Sequence, residues 1–139
     1  MPSTLPEPAD PSRELTVLYD GACPLCSREI AWYRCRTATE TIRWVDVARS
    51  ADTDLPQGID RDAALRRFHV LEADGRPISG AAAFLRLWSA YPGLARYTRL
   101  RRLPGLLSLM ELAYRLFLRL RPLLARVLPV HRPREGDPP

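Results

Sequence analysis

Short apolar runs alternate with amphipathic stretches along the first two thirds of the chain. Leu15-Thr-Val-Leu-Tyr19 is β-branched and apolar, stops at the turn signal Asp20-Gly21, and predicts a buried strand. Cys23-Pro24 comes next, and proline suits the first helical position because its missing N–H would be unpaired there anyway. Ile30, Trp32 and Tyr33, interleaved with Arg28, Glu29, Arg34 and Arg36, predict a helix from Pro24 to about Arg36. Thr41 to Val47 reads as a second strand. An acidic, turn-rich stretch leads to a short helix over Asp60 to Arg67, capped by Asp60 or Asp62. Phe68 to Glu72 and Pro77 to Ser79 flank Asp74-Gly75 and predict a hairpin whose second strand, carrying a proline, lies at an edge. Gly80 opens a helix through Phe84, Leu85, Leu87 and Trp88, ending near Pro92-Gly93.

This order predicts an α/β fold: a βαβ unit with parallel strands, then a β-hairpin and a helix. Strand signals stop at Ser79. Leu94 to Leu128 is helical in pattern and punctuated by Pro104-Gly105 and Pro122, which makes it an α-helical C-terminal extension. Within it, Ser108, Glu111, Arg115 and Arg119 recur every three or four residues, so the polar positions of 106–120 form one narrow stripe. No uncharged apolar run reaches the roughly 18–20 residues that span a bilayer. So apolar a helix is buried on several sides, pairs with a partner, or lies in a membrane interface. Packing on the α/β domain is the preferred reading. The expected organisation is a disordered Pro-rich leader over 1–13, the α/β domain over 14–92, the helical extension over 93–128 packed on it, and a flexible tail over 129–139.

The chain has 139 residues, which suits one domain with a real core and excludes a multidomain enzyme. Its net charge of +5 conceals a gradient. Residues 1–81 hold ten arginines against thirteen carboxylates, and residues 82–139 hold eleven against three, a division into −3 and +8. A basic C-terminal half favours acidic partners, so peripheral contact with an anionic membrane is one option for it. Since every basic residue is arginine, genome composition explains the usage as well as selection does, and no nucleic-acid partner is expected. The N-terminus lacks the basic and apolar regions of a signal peptide, so the cytoplasm is the expected compartment, with a membrane-peripheral position open.

Three cysteines do not make a secreted disulfide framework. Cys23-Pro24-Leu25-Cys26 is a C-x-x-C placed after a strand and at a helix start. Unpaired N–H groups and the helix dipole stabilise negative charge there, and thiol pKa values fall from about 8.5 to roughly 3.5–7.5. Cys23 at the cap, expected to face solvent, is therefore the attacking thiol. Cys26, one turn in and deeper, is the resolving one. Zinc uses the same spacing but needs two further ligands, and the candidates Cys35 and His69 bring no second motif, so neither a metal nor a dissociable cofactor is expected. Cys35 reads more simply as a small hydrophobe, His69 as a strand-end packing residue, Arg28 as an exposed helix arginine, and the three tryptophans as core or groove walls. Asp20 is either a loop brace of the Asx type or a proton acceptor for Cys26.

Tyr19-Asp20-Gly21-Ala22-Cys23-Pro24-Leu25-Cys26 resembles the signature of the DCC-type thiol–disulfide oxidoreductases. Glu29, Trp44-Val-Asp46, His69-Val70, Asp74-Gly75-Arg76, Gly80, Phe84, Trp88, Pro104-Gly105 and Tyr114 extend the match over about Thr16 to Leu120. The resemblance implies a thioredoxin-like fold with Cys23 and Cys26 as the redox pair, supported by Asp20, Gly21 and Pro24. It further implies a disulfide-containing protein or small thiol as substrate and a reducing thiol system as electron donor. Thioredoxins place a cis-proline before the third strand to shape the substrate groove. Leu65-Arg66-Arg67-Phe68 has none here, which leaves room for a dedicated partner. The competing reading is a non-catalytic thioredoxin-like binding module that docks a partner or membrane through its basic helical end.

Overall fold

The computed structural model describes residues 13–127. The expected leader, apart from Arg13, and the expected tail lie outside them. Four strands form one mixed sheet in the order β2-β1-β3-β4: β1 (Glu14–Tyr19), β2 (Thr41–Asp46), β3 (His69–Leu71) and β4 (Pro77–Ser79). β1 pairs in parallel with β2, Val17 opposite Trp44, across the crossover made by helix α1 (Pro24–Arg34). It pairs antiparallel with β3, Val17 opposite Val70. β3 and β4 form the hairpin, turned at Gly75 (φ 85°), where the Asp74 carboxylate accepts the Arg76 N–H at 3.0 Å. The βαβ unit, the hairpin and the edge position of the proline-bearing strand are as the sequence predicts.

Leu15, Val17 and Leu18 of β1 are fully buried, because β1 is central and covered on both faces. On one face Leu15, Val17 and Val70 pack with Ile30 and Tyr33 of α1 and with Ala83 and Leu87 of helix α3 (Ala81–Ser89). On the other, Leu18, Val45, Val47 and Leu71 meet Ala64 of the short helix α2 (Arg61–Arg66), whose N-cap Asp60 accepts the Ala63 N–H. Period-two alternation sorts these residues between the two layers. Arg86 of α3 binds Glu40, just before β2, and Glu72, just after β3, so one guanidinium ties both sides of the sheet to the helix.

The C-terminal region begins with a 3-10 stretch over Ala95–Arg102 and continues as helix α4, Leu106–Val127. α4 continues through Pro122, which punctuates the segment in the sequence. The ring removes one backbone donor and sits on an exposed turn. The expected burial of α4 holds for one face only. Glu111, Tyr114, Phe117, Leu118 and Arg121 turn inward, whereas Leu109, Leu112, Leu116, Leu120, Leu123 and Val127 are exposed. The sheet and α3 offer width for a single stripe of the helix, so the apolar residues beyond that stripe stay outside.

Candidate active site at the start of helix α1

The chain leaves β1 at Tyr19 and turns through Asp20–Ala22 into α1. Asp20 braces this turn, its carboxylate accepting the Ala22 N–H at 3.0 Å in the Asx manner. Gly21 donates its N–H to Asp46 Oδ1 at 3.0 Å, at the end of the neighbouring strand. A Cβ at Gly21 would fall on that carboxylate, so no other residue fits the approach. Ser27 Oγ donates back to the Gly21 carbonyl at 2.9 Å and closes the turn onto the first turn of the helix. Pro24 occupies the first helical position, as its fixed φ and missing donor predict.

Cys23 is the N-cap of α1, in extended conformation, and its Sγ accepts the Cys26 N–H at 3.5 Å. The sequence reading has this thiol facing solvent. Instead it is 5% exposed, and Cys26 is the more open of the two. The reason is α4. Its Arg121 reaches back to the loop, forms an ion pair with Asp20 and lies near Cys23. Sequence reasoning misses Arg121 because the contact spans 101 positions, and the one available signal was an arginine on the inward stripe of an otherwise apolar helix.

The electrostatics of the pair are asymmetric. Burial raises the pKa of the Cys26 thiol strongly, its hydrogen bond with Cys23 raises it further, and the pull of Arg121 in the other direction does not compensate. Cys26 is therefore held as a protonated thiol. Arg121 is itself penalised by burial, but Cys26, Cys23 and Asp20 around it keep its pKa above the ordinary arginine value. Cys26 faces a mainly apolar cleft whose walls include Phe68, Phe84, Tyr114, Phe117 and Leu118, the last three from α4.

Two further α4 residues fix the walls of this cleft. Glu111 accepts the Ala81 N–H at 3.0 Å and pairs with Arg67, standing in for the cap that Gly80 (φ 68°) cannot provide to α3. The Tyr114 hydroxyl accepts the Phe68 N–H at 2.6 Å, at the place where the sequence shows no proline. Glu111, Tyr114, Leu118 and Arg121 are spaced by three or four and so share one helix face.

The remaining candidates stand apart from the pair. Cys35 is the exposed C-cap at the far end of α1. His69 begins β3 and donates Nδ1–H to the Arg67 carbonyl at 2.7 Å, the local bond of a strand-end residue. Arg28 is exposed, as is Trp32, which stacks under Arg36 with the guanidinium carbon 3.3 Å from the ring centroid. Trp44 and Trp88 pack against the core. Among the described residues no group of three His, Cys, Asp or Glu side chains could hold a metal ion.

Residues 17–127 match the family of DCC1-like thiol-disulfide oxidoreductases. The chain belongs to that family. The match runs through α4, the helix that lines the Cys26 cleft, as well as the sheet, and the fold of this DCC1-like protein is thioredoxin-like. It is 33% identical over 84 residues to an uncharacterized chloroplastic protein of Arabidopsis thaliana. The aligned stretch is 59% of this chain and 39% of that protein, so the chain spans about two fifths of the length of the relative it matches. No solved structure matches it. No helix of the described residues is long and apolar enough to cross a membrane.

Proposed function

We propose that the protein is a thiol–disulfide oxidoreductase in which Cys23 attacks and Cys26 resolves. The observation that carries this reading is the distribution of donors and protons over the two sulfurs. Cys23 Sγ accepts the Cys26 N–H at a helix start, whereas Cys26 keeps its proton. The start of a helix is where unpaired backbone donors gather, and the thiolate is the nucleophile.

In the forward direction the Cys23 thiolate attacks one sulfur of a substrate disulfide. The substrate S–S bond breaks, a Cys23–substrate disulfide forms, and the departing substrate thiolate takes up a proton. Cys26 then loses its proton and attacks Cys23 Sγ. The Cys23–Cys26 disulfide forms, the second substrate thiol leaves, and two electrons have passed to the substrate. A reducing thiol system returns the pair to dithiol, and the reverse sequence oxidises a dithiol substrate. Disulfide-bearing proteins and small disulfides both meet this chemistry. A reducing compartment, the cytoplasm in the simplest case, suits such a pair in a chain with three cysteines.

The partial exposure of Cys26 favours a second reading, in which Cys26 attacks first. Trapping separates the two. With Cys26→Ser, a disulfide substrate should remain covalently linked to Cys23, and Cys23→Ser should trap little. The opposite pattern reverses the roles. Absence of any linkage in either variant, together with failure of the wild-type pair to oxidise, supports the non-catalytic binding module instead.

A further inference from the structure

The outward face of α4 has no use in the reaction above. Leu109, Leu112, Leu116, Leu120, Leu123 and Val127 follow one another at intervals of three or four, so they form a single stripe. At a rise of about 1.5 Å per residue the stripe is roughly 27 Å long. Its members are unusually open: Leu112 is 63% exposed and Val127 81%. Isolated exposed leucines are ordinary, but a continuous apolar strip of this length marks a contact surface.

Charge identifies the occupant. Arg119 and Arg126, seven residues apart, flank the leucines along one side, and Arg96, Arg99, Arg101 and Arg102 are exposed on the preceding 3-10 stretch. None of these six has a carboxylate partner among the described residues. The one carboxylate of α4, Glu111, is taken by Arg67, Arg115 and the Ala81 N–H. A second copy of the chain meeting this face would set two uncompensated arginine columns against each other. A bilayer surface with anionic headgroups supplies both complements at once: acyl chains for the leucines and phosphates for the guanidinium groups. The helix is too polar on its other faces to cross, so it would lie in the plane of the interface.

We propose that α4 is a membrane-surface anchor that seats its leucine stripe in an anionic lipid interface, with the arginines of the 95–102 stretch and of α4 on the headgroups. The inward face of the same helix keeps Arg121 on the cysteine loop, so the redox site would be carried close to the bilayer. The anchor does not depend on the cysteines reacting, and its test reads binding alone.

Full-length protein is sedimented with phosphatidylcholine vesicles and with vesicles in which about a third of the lipid is phosphatidylglycerol. Binding to the anionic vesicles at low salt, falling as salt rises, is expected. Leu112→Gln, Leu116→Gln and Leu120→Gln combined should reduce the partition coefficient at least tenfold with the far-ultraviolet circular dichroism unchanged, since these side chains are exposed and outside the core. Arg119→Gln and Arg126→Gln should each reduce it about fivefold. Three results overturn the proposal: no binding to anionic vesicles at low salt, equal binding to neutral and anionic vesicles, or a solution dimer that the leucine variant dissociates. If the leucine variant does not fold, the arginine variants and the neutral vesicles still decide.

Discussion

Arg121 of α4 forms an ion pair with Asp20, the residue that opens the cysteine loop, and links positions separated by almost the whole of the described chain. Both side chains are mostly covered, 19% and 16% exposed, so the pair lies between the weak surface case and the strongly desolvated one. Arg121→Gln is expected to lower unfolding free energy by about 1–3 kcal/mol. It should also slow disulfide exchange about tenfold, the equivalent of roughly 1.4 kcal/mol in the barrier. Urea denaturation of the two single variants and of Asp20→Asn/Arg121→Gln should return a coupling of about 1 kcal/mol. Strict additivity would mean that the pair contributes nothing.

Cys26 should alkylate slowly near neutrality. Burial is the largest cause and persists without Cys23, so in the Cys23→Ser variant the iodoacetamide rate should rise only well above neutrality. The Cys26→Ser variant should label Cys23 faster at pH 7. Fast labelling of Cys26 at pH 7 would contradict the environment described for it.

Glu111 provides a pH signature. Burial works against its charge, but the Arg67 guanidinium, the Ala81 N–H and Arg115 outweigh it and hold the carboxyl below its ordinary value of 4.5. A carboxylate depressed by folding contributes stability above its unfolded pKa and loses it as pH falls through the folded one. Glu111→Gln should therefore cost about 1–2 kcal/mol at pH 7 and progressively less below about pH 4.5. Thermal melts of both proteins between pH 3 and 7 should converge at the acid end.

Gly21→Ala should destabilise by about 1–3 kcal/mol, because the new methyl meets the Asp46 carboxylate that accepts the Gly21 N–H. The same change in an Asp46→Ala background should be milder, since the obstacle is gone. Equal cost in both backgrounds would place the strain elsewhere.

Tyr114→Phe keeps the ring in the cleft but leaves the Phe68 N–H without its acceptor, at an expected cost of about 1–2 kcal/mol. Amide exchange at Phe68 should accelerate in step with that loss.

The strands and first three helices were readable from the sequence because they rest on local signals: the β-branched run of β1, Asp60 as a cap, and Asp74-Gly75 as a turn. The cysteine pair was readable for the same reason, since strand, turn, Cys-Pro and helix follow within a dozen residues. Pro24 also carried its reason locally, whereas Gly21 is fixed by Asp46 of the neighbouring strand, 25 positions on. Arg121, Glu111 and Tyr114 did not. Each acts on a backbone group or side chain that the fold brings near from at least thirty positions away, and an arginine or glutamate on a leucine-rich helix reads first as a solvated face. The misplacement of Cys23 in solvent followed from the same gap, because the cap position was correct and the helix laid over it was not visible. The helical extension, set apart from the redox domain on composition, thus caps α3 and lines the cysteine cleft.

The stretch before β3 has a consequence for molecular recognition. Phe68 offers no free N–H, because Tyr114 holds it, and the Arg67 carbonyl already receives His69 Nδ1–H. Phe68 and Arg67 line the same cleft as Cys26. An extended polypeptide laid alongside would find its main-chain partners there engaged, so strand addition has no foothold at that spot. What stays available is sulfur, ring faces and the Arg121 charge. For the exchange reaction proposed above, such an inventory would suit compact disulfides, whether a small oxidised thiol or a cystine displayed on a protruding loop, better than linear peptide segments.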